Sequence, residues 1–351
     1  MENKSCPISG TAYSGIGGQA VMEGVMMRNK DDYAVAVRKA DGEIVVKKAE
    51  YHGVINNKTV YKMPIIRGIL SFIDSLVLGL STLNFSSDIY IQSEEEKERL
   101  AKSGADAGSE TEMHGEALSS GANLESSEAV EAEDMRSAGD TVLSAVITVV
   151  ALILALGLFM VLPYLASLLF KPLVGEGIAL SLIEGLIRIL IFIGYIKAIS
   201  LMEDIRRVFM YHGAEHKCIN CIEAGLPLNV DNVRQASREH RRCGTSFLLY
   251  VMVISIIFFA FIQTDVRWLK VVMRVVLIPL IAGVSYEFIR LAGRSENRIV
   301  RFISKPGLWL QKLTTREPDD EMIEVGIRSV EEVFNWEMFL KENFPGQGSE
   351  T

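Results

Sequence analysis

Residues 141–170 read TVLSAVITVVALILALGLFMVLPYLASLLF, a run of 30 residues without a charged side chain. Apolar runs of about 18 residues or more are long enough to cross the hydrocarbon core of a bilayer as a helix. Residues 244–264 form a second uncharged run, and residues 178–202 and 266–292 are apolar but contain charged residues, among them Glu184, Arg188 and Glu287. The four segments predict a four-span membrane domain over residues 141–292.

The composition agrees with a membrane protein. Hydrophobic residues make up 49% of the 351 residues, and the mean hydropathy is +0.24, which is high for an ordinary soluble chain. Residues 93–140 hold 14 acidic and 4 basic residues, more negative charge than the whole chain's −8. The rest of the chain is therefore nearly neutral, and it has no basic surface of the kind that binds nucleic acid. Four cysteines are too few for a disulfide framework.

The segment before the membrane domain divides into three parts. Residues 1–63 predict a small β subdomain of three to five strands, because an apolar run follows Gly17-Gly18 and two alternating segments flank an Asp41-Gly42 turn. Residues 64–92 have apolar residues at helical spacing and predict an amphipathic or re-entrant helix. Residues 93–140 are rich in Ser, Gly, Ala and Glu without periodicity, and predict an acidic, disordered linker. The predicted fold class is therefore an α+β membrane protein with about four transmembrane helices.

Residues 293–351 predict a cytoplasmic helical tail. Basic residues at positions 294, 298 and 301 have helical spacing suited to anionic lipid headgroups. We expect Lys305-Pro306-Gly307 to end that helix, since proline and glycine are helix breakers. Residues 317–339 predict one or two amphipathic helices that pack on the β subdomain.

The basic residues also predict the orientation in the membrane. Residues 203–243 connect the second and third predicted spans and contain seven basic residues: Arg206, Arg207, Lys217, Arg234, Arg238, Arg241 and Arg242. The two short connections on the other side hold one each. Cytoplasmic loops carry the excess of Lys and Arg, so we expect this long loop and both termini in the cytoplasm.

The same loop contains the motif His212-Gly-Ala-Glu215-His216. On a helix, residues four apart share one face, so both imidazoles can reach one ion while Glu215 borders that face. This layout is that of inverted zincin hydrolases, in which two histidines bind zinc and the glutamate polarises the attacking water. The motif predicts a divalent metal, with zinc favoured, bound by His212 and His216, and Glu215 as the catalytic base.

A third metal ligand is expected from one of three residues. Glu287 lies near the cytoplasmic end of the fourth predicted span, and His240 and Cys243 directly precede the third. The predicted topology brings all of them to the same membrane face. Glu287 could instead pair with Arg290 or Arg294.

Three other interpretations of these residues stay open, and a site that includes Cys218 and Cys221 could hold a second metal ion beside the one at the motif. The pattern Cys218-x2-Cys221 followed by His240-x2-Cys243 has the spacing of a closed structural zinc site. The Cys-x-x-Cys pair could also be a thiol switch, and the whole cluster could be hydrogen-bonded without a metal.

The N-terminal stretch GGQAVMEGVMMR, residues 17–28, is the remaining distinctive segment. It lacks the Gly-Lys-Ser/Thr ending of a phosphate-binding loop. Glu23 and Arg28 could bind a substrate, or the stretch could be a β turn with buried methionines.

Five blocks in order along the chain carry a resemblance to a known family: GGQAVMEGVMMR, YHGAEHK at 211–217, HRRCGTSF at 240–247, GVSYEFIRLAG at 283–293 and PGLWLQKLTTREPDDE at 306–321. The chain resembles the YqhQ-like family, bacterial membrane proteins of unknown function described as predicted metal-dependent enzymes. The resemblance implies a bacterial inner-membrane location. It marks as motif members Glu23, His212, Glu215, His216, His240, Cys243 and Glu287, and it leaves Cys218 and Cys221 outside the core signature.

We therefore expect a zinc-type membrane hydrolase with its site at the cytoplasmic face. The alternative is a non-catalytic scaffold or regulator with a structural metal, and a third candidate is a transporter that uses Glu184, Arg188 and Glu287. The expected partners are the lipid bilayer and an unidentified substrate, and a homo-oligomer stays open.

Overall fold

The computed structural model of the chain describes residues 12–55, 59–106, 138–262, 264, 266–294 and 297–345. Within these residues the fold is mostly helical, with a four-stranded antiparallel sheet near the N-terminus. Four helices are long and apolar enough to cross a membrane, by length and composition. A small N-terminal sheet joined to apolar helices is what the sequence predicted.

The sheet consists of β1 (Gly17–Val21), β2 (Gly24–Asn29), β3 (Asp32–Arg38) and β4 (Ile44–Glu50), in the order β1-β2-β3-β4. Tight hairpins need positive φ angles in their turns, and Glu23 and Lys30 have φ of 47° and 59°. Gly42, with φ of 93°, lies in the connection between β3 and β4. The hairpin predicted from Asp41-Gly42 is thus confirmed.

The helices, in chain order, are α1 (Ile66–Asp106), α2 (Ala138–Leu156), α3 (Leu162–Ser167), α4 (Lys171–Val174), α5 (Ile178–Ile199), α6 (Glu203–Glu223), α7 (Val230–Gln235), α8 (Gly244–Ala260), α9 (Arg267–Arg294), α10 (Arg298–Thr314), α11 (Asp320–Val333) and α12 (Trp336–Asn343). A π-helical segment, Gly157–Val161, joins α2 to α3. The region predicted as a loop at 203–243 is therefore largely helical, since α6 and α7 occupy much of it.

The helices that could span a membrane only partly coincide with the predicted spans. They comprise residues Ile66–Lys102, Val146–Val174, Ile178–Ile199 and Trp268–Gly293. The third predicted span corresponds to α8, which is apolar but only 17 residues long. At about 1.5 Å per residue, such a helix is roughly 26 Å long, slightly less than the ~30 Å of a hydrocarbon core.

Helix α1 is longer than the sequence predicted and lies on the sheet over part of its length. Leu78 packs in one cluster with Val21, Met26, Val35 and Val37 of the strands. The backbone N–H of Met22 donates to the Ser86 hydroxyl at 3.2 Å, and that of Ala40 donates to the Ser93 hydroxyl at 3.1 Å. Over this part of its length α1 therefore packs on the sheet, and its position relative to a membrane stays a prediction.

The helix continues to Asp106, past the boundary at residue 92 where a disordered linker was expected to begin. Residues 107–137, the greater part of that predicted linker, lie outside the described residues.

The opposite face of the sheet packs on α6 and α11. Side chains alternate along a strand, so Met26 faces α1 whereas Met27 joins a buried cluster with Tyr211, Ala214 and Ile323. The result is three layers, with α1 on one side of the sheet and α6 and α11 on the other. The prediction of tail helices that pack on the β subdomain is confirmed.

The helix end predicted at Lys305-Pro306-Gly307 is wrong, because α10 continues through it. A proline inside a helix removes one backbone hydrogen bond, which is tolerated here since Pro306 lies on the exposed side. Gly307 lies on the buried side, where an added Cβ would be 3.0 Å from the Ser246 side chain of α8. Packing on α8 thus holds the helix together at this point.

A buried charge cluster joins three helices of the apolar bundle. The Arg274 guanidinium donates to both Glu184 oxygens, at 2.6 and 2.7 Å, and Arg188 donates to one of them at 2.8 Å. The second terminal nitrogen of Arg188 donates to the Ser255 hydroxyl at 3.0 Å. The sequence suggested only the Glu184–Arg188 pair four residues apart. The structure adds Arg274, so that one carboxylate lies between two guanidinium groups.

Candidate metal centre

The HxxEH motif lies in the middle of α6. This helix begins with Glu203 and Asp204 in its first turn, where acidic residues stabilise the positive end of a helix. His216 is fully buried and His212 is half-buried, and their ring centroids are 4.4 Å apart. The predicted common face of the two imidazoles is therefore present.

Each imidazole is held by a backbone carbonyl. His212 Nδ1 lies 2.9 Å from the Thr314 carbonyl oxygen, and His216 Nδ1 lies 2.6 Å from that of Arg238. A ring nitrogen facing a carbonyl must donate, so Nδ1 carries a proton, and in the neutral ring the lone pair is on Nε2. Metal-binding histidines are typically oriented in this way.

Cys243 supplies a sulfur atom to the same place. It is the N-cap residue of α8, and its Sγ accepts a hydrogen bond from the Thr245 backbone N–H at 3.3 Å. The Thr245 hydroxyl lies 3.1 Å from Sγ, and His212 Nε2 lies 3.2 Å from it.

His212, His216 and Cys243 form a group that could hold a metal ion, since one ligand atom from each lies within 4.8 Å of the others. In a tetrahedral zinc site, bonds of roughly 2.0–2.3 Å separate neighbouring ligand atoms by somewhat less than this. His216 Nε2 is buried and, among the described residues, has no hydrogen-bond partner. The three residues therefore fit a metal, and three protein ligands leave a fourth position free, as in catalytic zinc sites.

His240 lies beside this group but outside it. Its ring centroid is 5.5 Å from that of His216, and its Nε2 is 3.9 Å from a Glu223 oxygen, too far for a hydrogen bond. Burial lowers the pKa of His240 to about 4, so its ring is neutral. The side chain of Gln311 binds the His240 backbone on both sides, at 2.8 and 2.7 Å.

Glu215 lies on the face of α6 next to that of the two imidazoles, and its side chain points towards β1. The Gly18 backbone N–H donates to its carboxylate, and Oε2 is buried without a partner in the described part of the chain. Burial raises the pKa of Glu215 to about 7, although His212 and the Gly18 hydrogen bond act in the opposite direction. Glu215 is therefore close to the motif histidines but is not in the three-ligand group.

Cys218 and Cys221 lie away from the group, so the predicted closed Cys218/Cys221/His240/Cys243 site does not form. Residue 218 follows His216 by two positions, which on a helix is a rotation of about 200°. Cys218 packs against Gly326 of α11, and the Cys221 thiol donates weakly to the Pro227 carbonyl at 3.5 Å. Burial raises the pKa of both thiols, that of Cys221 to about 12, so they are protonated core residues.

Glu287 is engaged elsewhere. The Arg67 guanidinium donates to both of its oxygens, with Nε at 2.6 Å, and the backbone N–H of Ile65 contacts the same carboxylate. Arg67 is a partner that the sequence did not indicate, and it reaches Glu287 because α1 crosses α9 at this point; the charge of Arg290 also acts on this carboxylate. Glu287 therefore does not join the His/Cys group in this structure.

Glu23 and Arg28 are separated by the length of β2 and do not form one binding surface. Glu23 binds the Arg207 guanidinium through both oxygens, each at 2.5 Å, and accepts from the Tyr211 hydroxyl at 3.2 Å. Arg28 donates to the Lys30 carbonyl at 2.8 Å. The alternative interpretation, a turn with buried methionines, describes the stretch better.

Sequence reasoning missed several residues that position the candidate centre. Gln311 and Thr314 come from α10, and no local pattern connects them with the motif. Glu223 accepts hydrogen bonds from Ser14 and Arg242. Burial alone would raise the pKa of Glu223, but the adjacent His240 ring, the charge of Arg242 and the hydrogen bonds from Ser14 bring it to about 2.

Gly213 is a further missed residue, and it gives a prediction. A Cβ at this position would lie 2.0 Å from the Arg316 carbonyl oxygen. We expect Gly213→Ala to lower the free energy of unfolding by about 1–3 kcal/mol, the usual cost of overpacking. Gly194→Ala in α5 is the control, because a Cβ there would have no atom of the described residues within 4 Å. Thermal unfolding of both variants in detergent checks this, and equal melting temperatures would contradict it.

These features define a class of protein in which helices apolar enough to cross a membrane carry a small α+β layer with a buried His/His/Cys group. Residues 63–336 match the family described as a protein of unknown function (DUF1385), and the chain belongs to this family. It is 36% identical over 330 residues to the "Uncharacterized protein YqhQ" of Bacillus subtilis (strain 168). The aligned residues cover 93% of this chain and 94% of that protein. No solved structure matches. The resemblance to the YqhQ-like family is thus confirmed.

Proposed function

We propose that this chain is an integral membrane protein that binds a divalent metal ion, with zinc favoured, through His212, His216 and Cys243, and that it is a hydrolase. The observation that carries the proposal is the pair of oriented imidazoles. Each has its Nδ1 on a carbonyl, and His216 Nε2, which lies near the Cys243 sulfur, has no hydrogen-bond partner among the residues that the structure describes. Nitrogen and sulfur ligands in this combination suit zinc better than magnesium or calcium.

Unpartnered atoms around the group support a metal over a purely hydrogen-bonded cluster. A buried polar atom without a partner costs about 1–3 kcal/mol. In the described part of the chain, three buried atoms have no hydrogen bond: His216 Nε2, His240 Nε2 and Glu215 Oε2. A hydrogen-bonded cluster would pair His216 Nε2 with a donor, whereas a cation held by His212, His216 and Cys243 would occupy its lone pair.

The residues around the group support hydrolysis as the reaction class. A bound divalent metal would supply Lewis-acid activation of water or of a carbonyl group. Glu215 can take up and release a proton at neutral pH, because its pKa of about 7 is near that of the medium. His212 is the least buried of the three ligands, so a substrate would approach from its side.

The location that we propose is the cytoplasmic membrane of a bacterium, with both termini and the His/Cys group on the cytoplasmic side. The basic residues of the 203–243 segment support this orientation through the positive-inside rule. The sheet, α6 and α11 would then lie in the cytoplasm. Helices α5 and α9 and the α2–α4 segment, together with α8, would lie in the bilayer.

Metal analysis of the purified protein tests the proposal. We expect about one metal ion per chain in the wild type and a loss of metal in His212→Ala, His216→Ala and Cys243→Ala, because each variant removes one ligand. Cys221→Ser is the control, since this buried thiol lies outside the group and serine can keep its hydrogen bond to a carbonyl. Inductively coupled plasma mass spectrometry gives the stoichiometry. A metal-free wild type, or unchanged metal in all three ligand variants, would refute the proposal.

One observation favours a second function, that of a scaffold or regulator with a structural metal. Two ligands come from α6, and the third, Cys243, directly precedes α8. A metal bound by all three would link the layer formed by the sheet, α6 and α11 to the apolar helices. A scaffold would need the same three ligands but would not need Glu215.

A further inference from the structure

Helix α10 exposes large apolar side chains although it is not one of the helices suited to cross a membrane. Phe302, Ile299 and Trp309 are 70%, 69% and 51% exposed. Its other face is buried and contains Ser304, Gly307, Leu310 and Gln311. An exposed apolar face of this kind usually marks a surface that binds a protein or a membrane.

The buried face lies against the end of the apolar bundle. Gly307 contacts Ser246 and Tyr250 of α8, and Leu310 shares a buried cluster with Phe192 of α5 and Leu249 of α8. Residues 246–250 lie in the first two turns of α8. At about 1.5 Å per residue, they are within roughly 10 Å of the N-terminal end of that helix. If α8 enters the bilayer at this end, these residues lie at the depth of the lipid headgroups.

The charges of α10 indicate which kind of molecule binds its exposed apolar face. The helix contains four basic residues and no acidic one: Arg298, Arg301, Lys305 and Lys312. Long basic side chains can lay their stems along apolar surface while their charges reach the headgroups, and tryptophan favours the same boundary. Lys305 Nζ already lies 5.7 Å from the Phe302 ring centroid.

We propose that α10 is an interfacial helix that binds anionic phospholipids, with Ile299, Phe302 and Trp309 in the acyl boundary and Arg298 and Lys305 on the phosphates. A soluble partner protein would need acidic groups to match these charges. The bilayer already adjoins the helix through α8, and its anionic headgroups provide that charge.

Brominated lipids test the apolar contact in the full-length chain. The chain has three tryptophans, so Trp268→Phe with Trp336→Phe leaves Trp309 alone. Trp268→Phe with Trp309→Phe leaves Trp336 of α12 as the matched control. In nanodiscs of brominated phosphatidylcholine and phosphatidylglycerol we expect strong quenching of Trp309 fluorescence and little quenching of Trp336. Equal quenching of the two, or an unquenched Trp309 in a chain that crosslinks to a second copy, would overturn the proposal.

Charge removal tests the anionic preference. A basic residue near a membrane surface strengthens binding by a factor of roughly 5 to 6. The double variant Arg298→Gln with Lys305→Gln removes two such residues. We therefore expect it to lower the retention of phosphatidylglycerol relative to phosphatidylcholine by about 30-fold at most. Arg328→Gln with Lys341→Gln is the control, because it removes the same charge from α11 and α12. Native mass spectrometry of the nanodisc samples measures the retained lipid, and an unchanged ratio in the α10 variant would overturn the proposal.

The lipid result is independent of the proposed hydrolase. Metal content measured on the same nanodisc samples separates the two, since a metal-free wild type with a quenched Trp309 refutes the metal site and supports the interfacial helix.

Discussion

Replacement of Glu184 by glutamine is expected to lower the free energy of unfolding by about 3–5 kcal/mol, because it leaves two buried guanidinium groups without their counter-charge. Arg274 and Glu184 are only 2% and 3% exposed, so water cannot replace the lost carboxylate. The rings of Phe259 and Tyr164 face Arg274 at 5.1 and 5.4 Å, but they compensate only a part of a full charge.

Glu176→Gln is the matched control for this prediction, since Glu176 is exposed and pairs with Lys171 near the surface. Thermal unfolding in detergent compares the two variants. The double variant Glu184→Gln with Arg274→Gln should recover part of the loss, because it removes one of the unpaired charges together with the carboxylate. A Glu184→Gln protein that melts like the Glu176→Gln control would contradict the role of this cluster.

Replacement of Glu215 by glutamine is expected to reduce hydrolysis by about 10²–10⁴-fold, the usual contribution of a general base. Glutamine has nearly the same volume, and its side-chain oxygen can still accept the Gly18 N–H, so metal content and melting temperature should stay at the wild-type values. The measurement is the rate against a panel of peptide, amide and ester substrates, together with metal analysis.

Glu239→Gln is the control, because this partly exposed carboxylate pairs with Lys312 and lies outside the candidate centre. A Glu215→Gln protein that hydrolyses a substrate at the wild-type rate would refute the catalytic role. If the wild type binds its metal but hydrolyses nothing in the panel, the scaffold function is favoured.

The parts of the fold that the sequence predicted are those determined by local patterns. An Asp-Gly pair between two alternating segments predicts a hairpin, and long uncharged runs predict apolar helices. Neither prediction depends on contacts with distant parts of the chain. The same holds for His212 and His216, because four residues of helix place them on one face. The same periodicity places Cys218 on a different face of α6 from the imidazoles. That inference requires the whole segment to be helical, whereas the sequence was interpreted as a loop.

The parts that the sequence could not predict depend on contacts between distant segments. Arg67 and Glu287 are 220 residues apart, and no local signal indicates that α1 crosses α9 at this pair. The continuation of α10 through Pro306 depends on the packing of Gly307 against α8. Thr314 and Gln311 lie at the candidate centre because α10 ends there, which is again a matter of tertiary packing.

Helix α6 presents three different faces to three neighbours: the imidazoles to the start of α8, Glu215 to β1, and Cys218 to α11. A single-residue insertion or deletion before residue 212 would turn everything after it by about 100° and misplace all three faces together. Natural relatives should therefore vary freely in the identity of outward-facing α6 residues but keep the number of residues in this helix constant. Length differences between them should accumulate elsewhere, for example in the acidic segment after α1.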